Sequence, residues 1–407
     1  MEPSPGFFFQ FQHGYPTARP YFLWGFGLKR EWKAYTFHEA FEALESIQAF
    51  LNQHRGGASA GGFESSVFGY LSYELGRALE GLPFRCESSS TPLLHFVLPE
   101  KVMVRDCLSP EFFSDIQTDF SSTVPVPQMS FSDYAAGIDR IHDYLRKGET
   151  YELNFAYRFD AQFKGDPWGF FQGLMQMNPS PYACYLDFDP ITVVSCSPEL
   201  LVRGAWNGNH EMVVETRPIK GTVPRGQNFK EDEKLKKELL ANPKIEAELN
   251  MIVDLARNDL GRVCRVGSVQ VPEHRVVESY SHVHHTMSHV TGILEKGLGW
   301  REVLESVFPG GSVTGAPKKR TMELIQQLEP VPRGVYTGSA GWISPNGEFC
   351  FNILIRTMAL DRRSGQLSFH SGGAVVMDST AQEEYEETLH KAAVLQNAIL
   401  NFIKAKK

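Results

Sequence analysis

Gly338-Ser339-Ala340-Gly341-Trp342-Ile343-Ser344-Pro345-Asn346-Gly347-Glu348-Phe349-Cys350-Phe351-Asn352 is the stretch that decides the fold class. An Asn-Gly pair between two apolar, aromatic-bearing runs signals a tight antiparallel hairpin, because its turn needs φ above zero at both central residues. The pattern extends to both sides. Strands are expected over 333–344, 348–361 and 366–377, with the second turn at Ser364-Gly365. Ser371-Gly372-Gly373-Ala374 falls inside the third, and glycines there mark a close approach to the backbone. Antiparallel strands grouped together, with helices in blocks between them, predict an α+β fold rather than a doubly wound sheet. The strand content is too large for one flat sheet, so two packed sheets are expected.

Upstream, Thr36-Phe37-His38-Glu39 forms a capping box for a helix that runs to Arg55 and stops at Gly56-Gly57. Val67 to Leu75 reads as a core strand turning into a short helix, and 94–106 and 112–120 as strands between Ser/Pro-rich loops. The one internal boundary lies in the loop Ser121 to Ser130, dividing an N-terminal part, 1–127, from a catalytic part, 128–407. Ser132 is read as the N-cap of a helix carrying Tyr134, Ile138, Ile141 and Leu145 on one face. Strands follow at 151–163 and 181–196 around a helix from Trp168 to Met177; Ser197-Pro198 ends the second strand and leaves Glu199 at the break. Asn242-Pro243 opens a helix that reaches Asn258, with Glu248 among Ile245, Leu249 and Ile252.

The 407 residues carry a formal charge of −8, which gives no electrostatic reason to expect nucleic acid as a partner. No run of about 18 apolar residues is present to span a membrane. The six cysteines are scattered without a C-x-x-C pair, and a reduced, cytoplasmic protein is expected.

Candidate chemistry centres on Glu215-Thr216-Arg217-Pro218-Ile219-Lys220-Gly221-Thr222, read as a strand end followed by an irregular turn that holds Lys220 rigidly. A nucleophilic lysine must be neutral, which calls for burial or a neighbouring cation, and Arg217 is in reach along the chain. The bland alternative is a surface lysine. Glu199 suits a general acid if burial raises its pKa. Glu384, Glu387 and Lys391 share one face of the last helix; they form either a solvated salt-bridge face or, with Glu248, a site for a hard cation such as Mg2+. The loop 309–317 lacks the spacing of a nucleotide phosphate cradle, although N–H groups at a helix start can hold a carboxylate. His282, His284, His285 and His289 lie in a strand-like segment, which argues against zinc.

Phe308-Pro309-Gly310-Gly311-Ser312-Val313-Thr314-Gly315-Ala316-Pro317-Lys318, Asp254-Leu255-Ala256-Arg257-Asn258-Asp259-Leu260-Gly261-Arg262, Ser195-Cys196-Ser197-Pro198-Glu199 and His284-His285-Thr286-Met287-Ser288 resemble, in order, the signatures of the chorismate-utilising enzymes. The resemblance covers 130–404. It implies two large, roughly orthogonal antiparallel sheets ringed by helices, with the site in the cleft between them. By the same resemblance Glu199 is the acid for the departing ring hydroxyl, and Glu248 and Glu387, with Glu384 close behind, are the Mg2+ ligands. His285, Thr314, Tyr336, Arg356, Lys391 and the Gly372 backbone are the substrate-binding set.

Within the family, members that make aminodeoxychorismate carry Pro-Ile-Lys-Gly-Thr, as here at 218–222, whereas anthranilate synthases usually have Ala in place of the lysine. Glu152 stands where water-activating relatives have Lys and amine-transferring relatives have Gln. Ile245, Leu249 and Ala374 also depart from the family pattern. The resemblance therefore implies amine transfer from ammonia to chorismate. A separate glutamine amidotransferase subunit would supply the ammonia in a heterodimer that serves para-aminobenzoate and folate synthesis. Anthranilate formation is the runner-up. A non-catalytic regulatory subunit is the alternative of another class; it would be expected to have lost Glu199, Glu248, Glu387 or Lys220, and all are present.

Overall fold

The run 348–361 is two strands, not one, and its interruption organises the molecule. In the computed structural model, which describes residues 5–11, 21–55, 63–83, 91–106, 120–280 and 283–405, Phe349–Asn352 belongs to one antiparallel sheet and Thr357–Asp361 to another. Between them the chain bends through Arg356 at φ 50°. Ile191–Ser197 and Leu200–Trp206 repeat the crossing in the opposite direction across Ser197-Pro198-Glu199. The two crossings are laced together: Ile353 N donates to Glu199 O at 3.0 Å, Cys196 N to Arg356 O at 3.1 Å, and Ser197 Oγ to Ile353 O.

Among the described residues the first sheet has 11 strands. Its main path runs from Gly315–Ala316 through Glu152–Gly165, Gln366–Val375, Thr357–Asp361, Ile191–Ser197, Tyr182–Phe188, Phe7–Phe11 and Tyr21–Phe26 to Lys101–Arg105. The second sheet has 10, its path running from Ile219–Pro224 through Val283–Ile293, Met212–Arg217, Leu200–Trp206, Phe349–Asn352, Ser339–Ile343, Val67–Leu71 and Leu94–Leu98 to Arg30–Ala34. Strands from both sides of the expected boundary at 127 therefore pair in both sheets. The facing sides share one apolar layer, in which Phe7, Phe9 and Val193 of the first sheet meet Phe68, Ala340 and Trp342 of the second. Phe7 stacks on Phe68 with centroids 4.3 Å apart.

Helices cover the outer faces. Those at 131–146, 167–177, 318–328 and 381–405 pack on the first sheet, and those at 37–53, 243–261 and 300–307 on the second. The fold is α+β, as the grouped strands predict. Several local signals act as read. Thr36 and Glu39 complete the capping box, and Asn242 caps a helix that begins with Pro. Other boundaries differ. Ser130, not Ser132, caps the helix Phe131–Arg146, since the Ser130 hydroxyl is the one that accepts from Asp133 N. The expected strand 181–196 is a hairpin turned at Asp189-Pro190, and the strand expected from 333 begins at Ser339. The readings at Gly56-Gly57 and most of 112–120 lie outside the described residues.

Arg333, only 3 % exposed, pins the segment between the helix Lys318–Leu328 and the strand Ser339–Ile343. Its guanidinium grips both oxygens of Glu329 and donates to the carbonyls of Val313 and Asn154, each at 2.8 Å. Arg333→Met leaves the Glu329 carboxylate buried without its counter-charge, a loss of about 3–5 kcal/mol. Urea denaturation should show the fall, and adding Glu329→Gln should recover part of it.

Candidate active site

Lys220 lies in a strand, Ile219–Pro224, rather than in the turn expected from Pro218 and Gly221. Pairing with Val283–Ile293 slips between Lys220 and Thr222, and Gly221 sits there at φ 70°. A Cβ on Gly221 would come within 2.7 Å of Ile245, so glycine permits both the bulge and the close seating of the helix Pro243–Gly261. The Thr286 hydroxyl donates to Lys220 O and fixes the backbone. Lys220 Nζ then reaches across to the first sheet, donating to Glu152 Oε1 at 2.9 Å and lying 4.0 Å from Glu248 Oε2.

These neighbours correct the electrostatic expectation. Arg217 turns to Glu278 at 3.4 Å and does not flank the lysine. Burial pulls the Lys220 pKa down, but the charges of Glu152 and Glu248 outweigh it and the value ends raised. Lys220 rests as an ammonium.

Glu199 sits at the first crossing, 4 % exposed, and burial pushes its pKa up to about 7 although Ser312 Oγ donates to its carboxylate at 2.8 Å. It is a carboxyl that can hold a proton near neutrality, as a general acid requires. Ser312 was missed by the sequence reading, which weighed the loop for its glycines. Thr314 is wholly buried and spends its hydroxyl on Gly310 O at 2.9 Å, so it shapes the loop from within.

A band of alternating charge continues from Lys220. Lys244 Nζ lies 4.0 Å from Glu248 Oε1 and 3.5 Å from Glu384 Oε1. Glu384 also accepts from Ser379 Oγ at 2.7 Å. Glu387 pairs with Lys391 at 2.7 Å, and Lys391 Nζ donates to Gly372 O at 3.1 Å. A Cβ on the adjoining Gly373 would stand 2.9 Å from Glu384 Oε2 and 3.9 Å from Glu387 Oε1, so that glycine keeps the strand backbone close to both carboxylates. The structure thus joins Lys220, Glu248, Glu384, Glu387, Lys391 and Gly372 in one line, and brings in Glu152 and Lys244, which were not among the predicted site residues.

His285 and Arg356 form a second group. Burial, and then the nearby Arg356 charge, push the His285 pKa down to about 3, so its ring is neutral; Thr222 Oγ1 lies 2.7 Å from Nδ1. Arg356 makes no ion pair among the described residues, and burial lowers its pKa. An unpaired, largely buried guanidinium suits a carboxylate ligand. Tyr336 is instead stacked on His370, with centroids 5.2 Å apart and planes at 12°, and no hydrogen bond ties it to the charged line.

Among the described residues no three His, Cys, Asp or Glu side chains converge on a common metal position. The donor set nevertheless fits a hard cation. Glu384 is 1 % exposed and its Oε2, beside Gly373, has no hydrogen-bond partner, while Glu248 and Glu387 flank it through Lys244 and Gly373.

A buried acid, a lysine bridging two sheets and a band of carboxylates together have the character of an enzyme site. The chain belongs to the chorismate binding enzyme family, whose model matches residues 14–397, and it is a chorismate-utilising enzyme. It is 36 % identical over 370 residues to aminodeoxychorismate synthase component 1 of Bacillus subtilis, covering 83 % of this chain and 77 % of that protein. Identity to anthranilate synthase component 1 of Saccharolobus solfataricus is 38 % over 350 residues, covering 83 % and 81 %. The crystal structure of anthranilate synthase component I from Streptococcus pneumoniae superposes with a TM-score of 0.76 at 28 % identity, over 97 % of this chain and 91 % of that one. Among the described residues no helix is long and apolar enough to cross a membrane.

The raised pKa of Glu199 fixes the sign of a pH effect. The folded chain holds this proton more tightly than the ordinary value of 4.5 allows, so the stability contributed is complete below pH 4.5 and lost as pH rises through about 7. Thermal melts across that window should fall less steeply for Glu199→Gln than for the parent; Glu74, also raised to about 7 by burial, keeps its share of the decline.

Proposed function

We propose that the chain is an aminodeoxychorismate synthase component I, which converts chorismate and ammonia to 4-amino-4-deoxychorismate through a covalent adduct on Lys220. The observation that carries this reading is the amine of Pro218-Ile219-Lys220-Gly221-Thr222 held in the cleft, 2.9 Å from Glu152 and close enough to Glu199 for their charges to interact. Replacing the C4 hydroxyl with retention needs two displacements, because a single one inverts the centre.

In the first displacement Lys220 passes a proton to Glu152 and its freed lone pair bonds to C2 of the ring. Both ring double bonds shift and the C4–O bond breaks. Glu199 protonates the departing hydroxyl, which leaves as water. In the second, ammonia bonds at C4, both double bonds return and the C2–N bond to Lys220 breaks. Glu152 returns its proton to the lysine, and Glu199 takes one from the new ammonium. Arg356, neutral His285, Lys391 and the Gly372 backbone hold the ring and its carboxylates, with Tyr336 along the wall. Glu248, Glu387 and Glu384 would hold Mg2+, which when bound neutralises a substrate carboxylate.

Ammonia would come from a glutamine amidotransferase subunit in a cytoplasmic heterodimer, and the product would serve para-aminobenzoate and folate synthesis. None of the six cysteines sits in a Gly-x-Cys-x-Gly elbow, so purified chain should use ammonium and not glutamine until such a subunit is added. Turnover on glutamine by the chain alone would contradict the partner assignment. Anthranilate formation is the second reading, supported by relatives of that name at similar identity.

The two readings separate on Lys220. The parent enzyme with chorismate and no ammonia should yield a modified Lys220 peptide by mass spectrometry. Lys220→Ala should lose most aminodeoxychorismate formation, with any residual product shifted toward anthranilate. An unmodified parent peptide together with full product formation by Lys220→Ala would remove the lysine from the mechanism.

A further inference from the structure

Lys244 is a residue that neither the family motifs nor the proposed mechanism uses. It lies in the first turn of the helix Pro243–Gly261, behind the Asn242 cap. A cation there opposes the helix dipole, which favours negative charge at the N-terminus. What holds it is the carboxylate pair, with Nζ 3.5 Å from Glu384 Oε1 and 4.0 Å from Glu248 Oε1, on residues separated in sequence and joined through this ammonium. The partners are unequal: the Lys244 side chain is 52 % exposed, whereas those of Glu384 and Glu248 are 2 % and 16 % exposed. The carboxylates are fixed and the ammonium is on a tether that opens to solvent.

We infer that Lys244 is a built-in competitor for the divalent-cation site, bridging Glu248 and Glu384 until it swings out to admit the metal. Charge balance supports an exchange rather than a simple addition. Glu152, Glu248, Glu384 and Glu387 already face Lys220, Lys244 and Lys391, so a divalent cation entering with all three lysines in place would meet a set with a single net negative charge. Release of Lys244 restores negative charge to Glu248 and Glu384 together. It leaves the pairs Lys391–Glu387 and Lys220–Glu152 in place. The same exchange couples metal entry to the dianionic substrate, whose carboxylate offsets part of the positive charge that a divalent cation adds.

This inference rests on the metal reading of Glu248, Glu384 and Glu387, and the test separates the two. Mn2+ serves as the probe, with free Mn2+ followed by electron paramagnetic resonance and Mg2+ added as competitor, in the parent, Lys244→Met and Lys244→Arg, each with and without chorismate. Lys244→Met is expected to bind Mn2+ about fivefold tighter or more without chorismate, equivalent to about 1 kcal/mol for a half-screened ion pair. Lys244→Arg, which keeps the charge, should stay near the parent. Chorismate should tighten Mn2+ binding more in the parent than in Lys244→Met, which has already lost the competitor. Equal or weaker binding by Lys244→Met overturns the competition and leaves the metal reading standing. No Mn2+ uptake by any form, even with chorismate, overturns the metal reading and the competition with it.

Discussion

The two places where the chain passes from one sheet to the other lie side by side and are hydrogen-bonded to each other. Glu199 and Arg356 are placed by that seam. At a crossing the strand pairing must stop, and the backbone amides that leave one ladder find new partners across the gap: Ile353 N on Glu199 O and Cys196 N on Arg356 O. The residues at the two breaks are an acid and a guanidinium. Neither belongs to a regular strand, so their side chains are freed from the in-and-out alternation that would bury one of two neighbours in the inter-sheet core. The seam therefore sets a buried carboxyl and, among the described residues, an unpaired guanidinium at neighbouring breaks, while the strands on either side remain tightly packed.

From the seam outward the site is governed by charge pairing in a dry setting. Lys220 extends from the edge strand of the second sheet to Glu152 at the start of a strand near the edge of the first, so the proposed nucleophile also bridges the two sheets. The pair has side-chain exposures of 10 % and 0 %, in a region where breaking such a contact leaves an uncompensated charge. The glycine-rich loop serves a different end from phosphate binding. Its Ser312 reaches Glu199, its Thr314 hydroxyl closes the loop on itself, and the following helix anchors Lys318 to Asp259 at 2.8 Å.

What could be read from the sequence was what local chemistry decides. Thr36 with Glu39 and Asn242 with Pro243 each satisfy helix-end amides from within a few residues. The hairpin turns at Asn346-Gly347 as expected, although only Gly347, at φ 92°, is in the left-handed region because Pro345 and Asn346 form the centre of the turn. The hairpin at Asp189-Pro190 was equally local, and the turn signal was overrun by the apolar residues around it. The break in 348–361 is of another kind: no Gly or Pro marks it, since the bend at Arg356 is set by pairing with Cys196, far off in the chain. The same limit applies to the site. Glu199, Glu248, Glu387 and Lys220 stand out through motifs, but the sign of the Lys220 environment depends on Glu152, 68 residues away, and could not be found from Arg217 next door.

A lysine that rests as an ammonium among carboxylates is still compatible with the proposed nucleophile. Moving one proton along the 2.9 Å hydrogen bond from Lys220 to Glu152 converts two buried charges into a neutral amine and a neutral acid. In water that exchange is strongly uphill, because the charged partners are the better solvated ones. At side-chain exposures of 10 % and 0 % both charges have already lost most of their solvation, and burial pulls the lysine toward its neutral form against the charges of Glu152 and Glu248. Substrate filling the cleft and excluding the remaining water increases that force. An acid at this position can take the proton the amine must lose, which a neutral amide cannot do. In the proposed mechanism Glu152 is therefore the proton acceptor beside Lys220 as well as its hydrogen-bond partner.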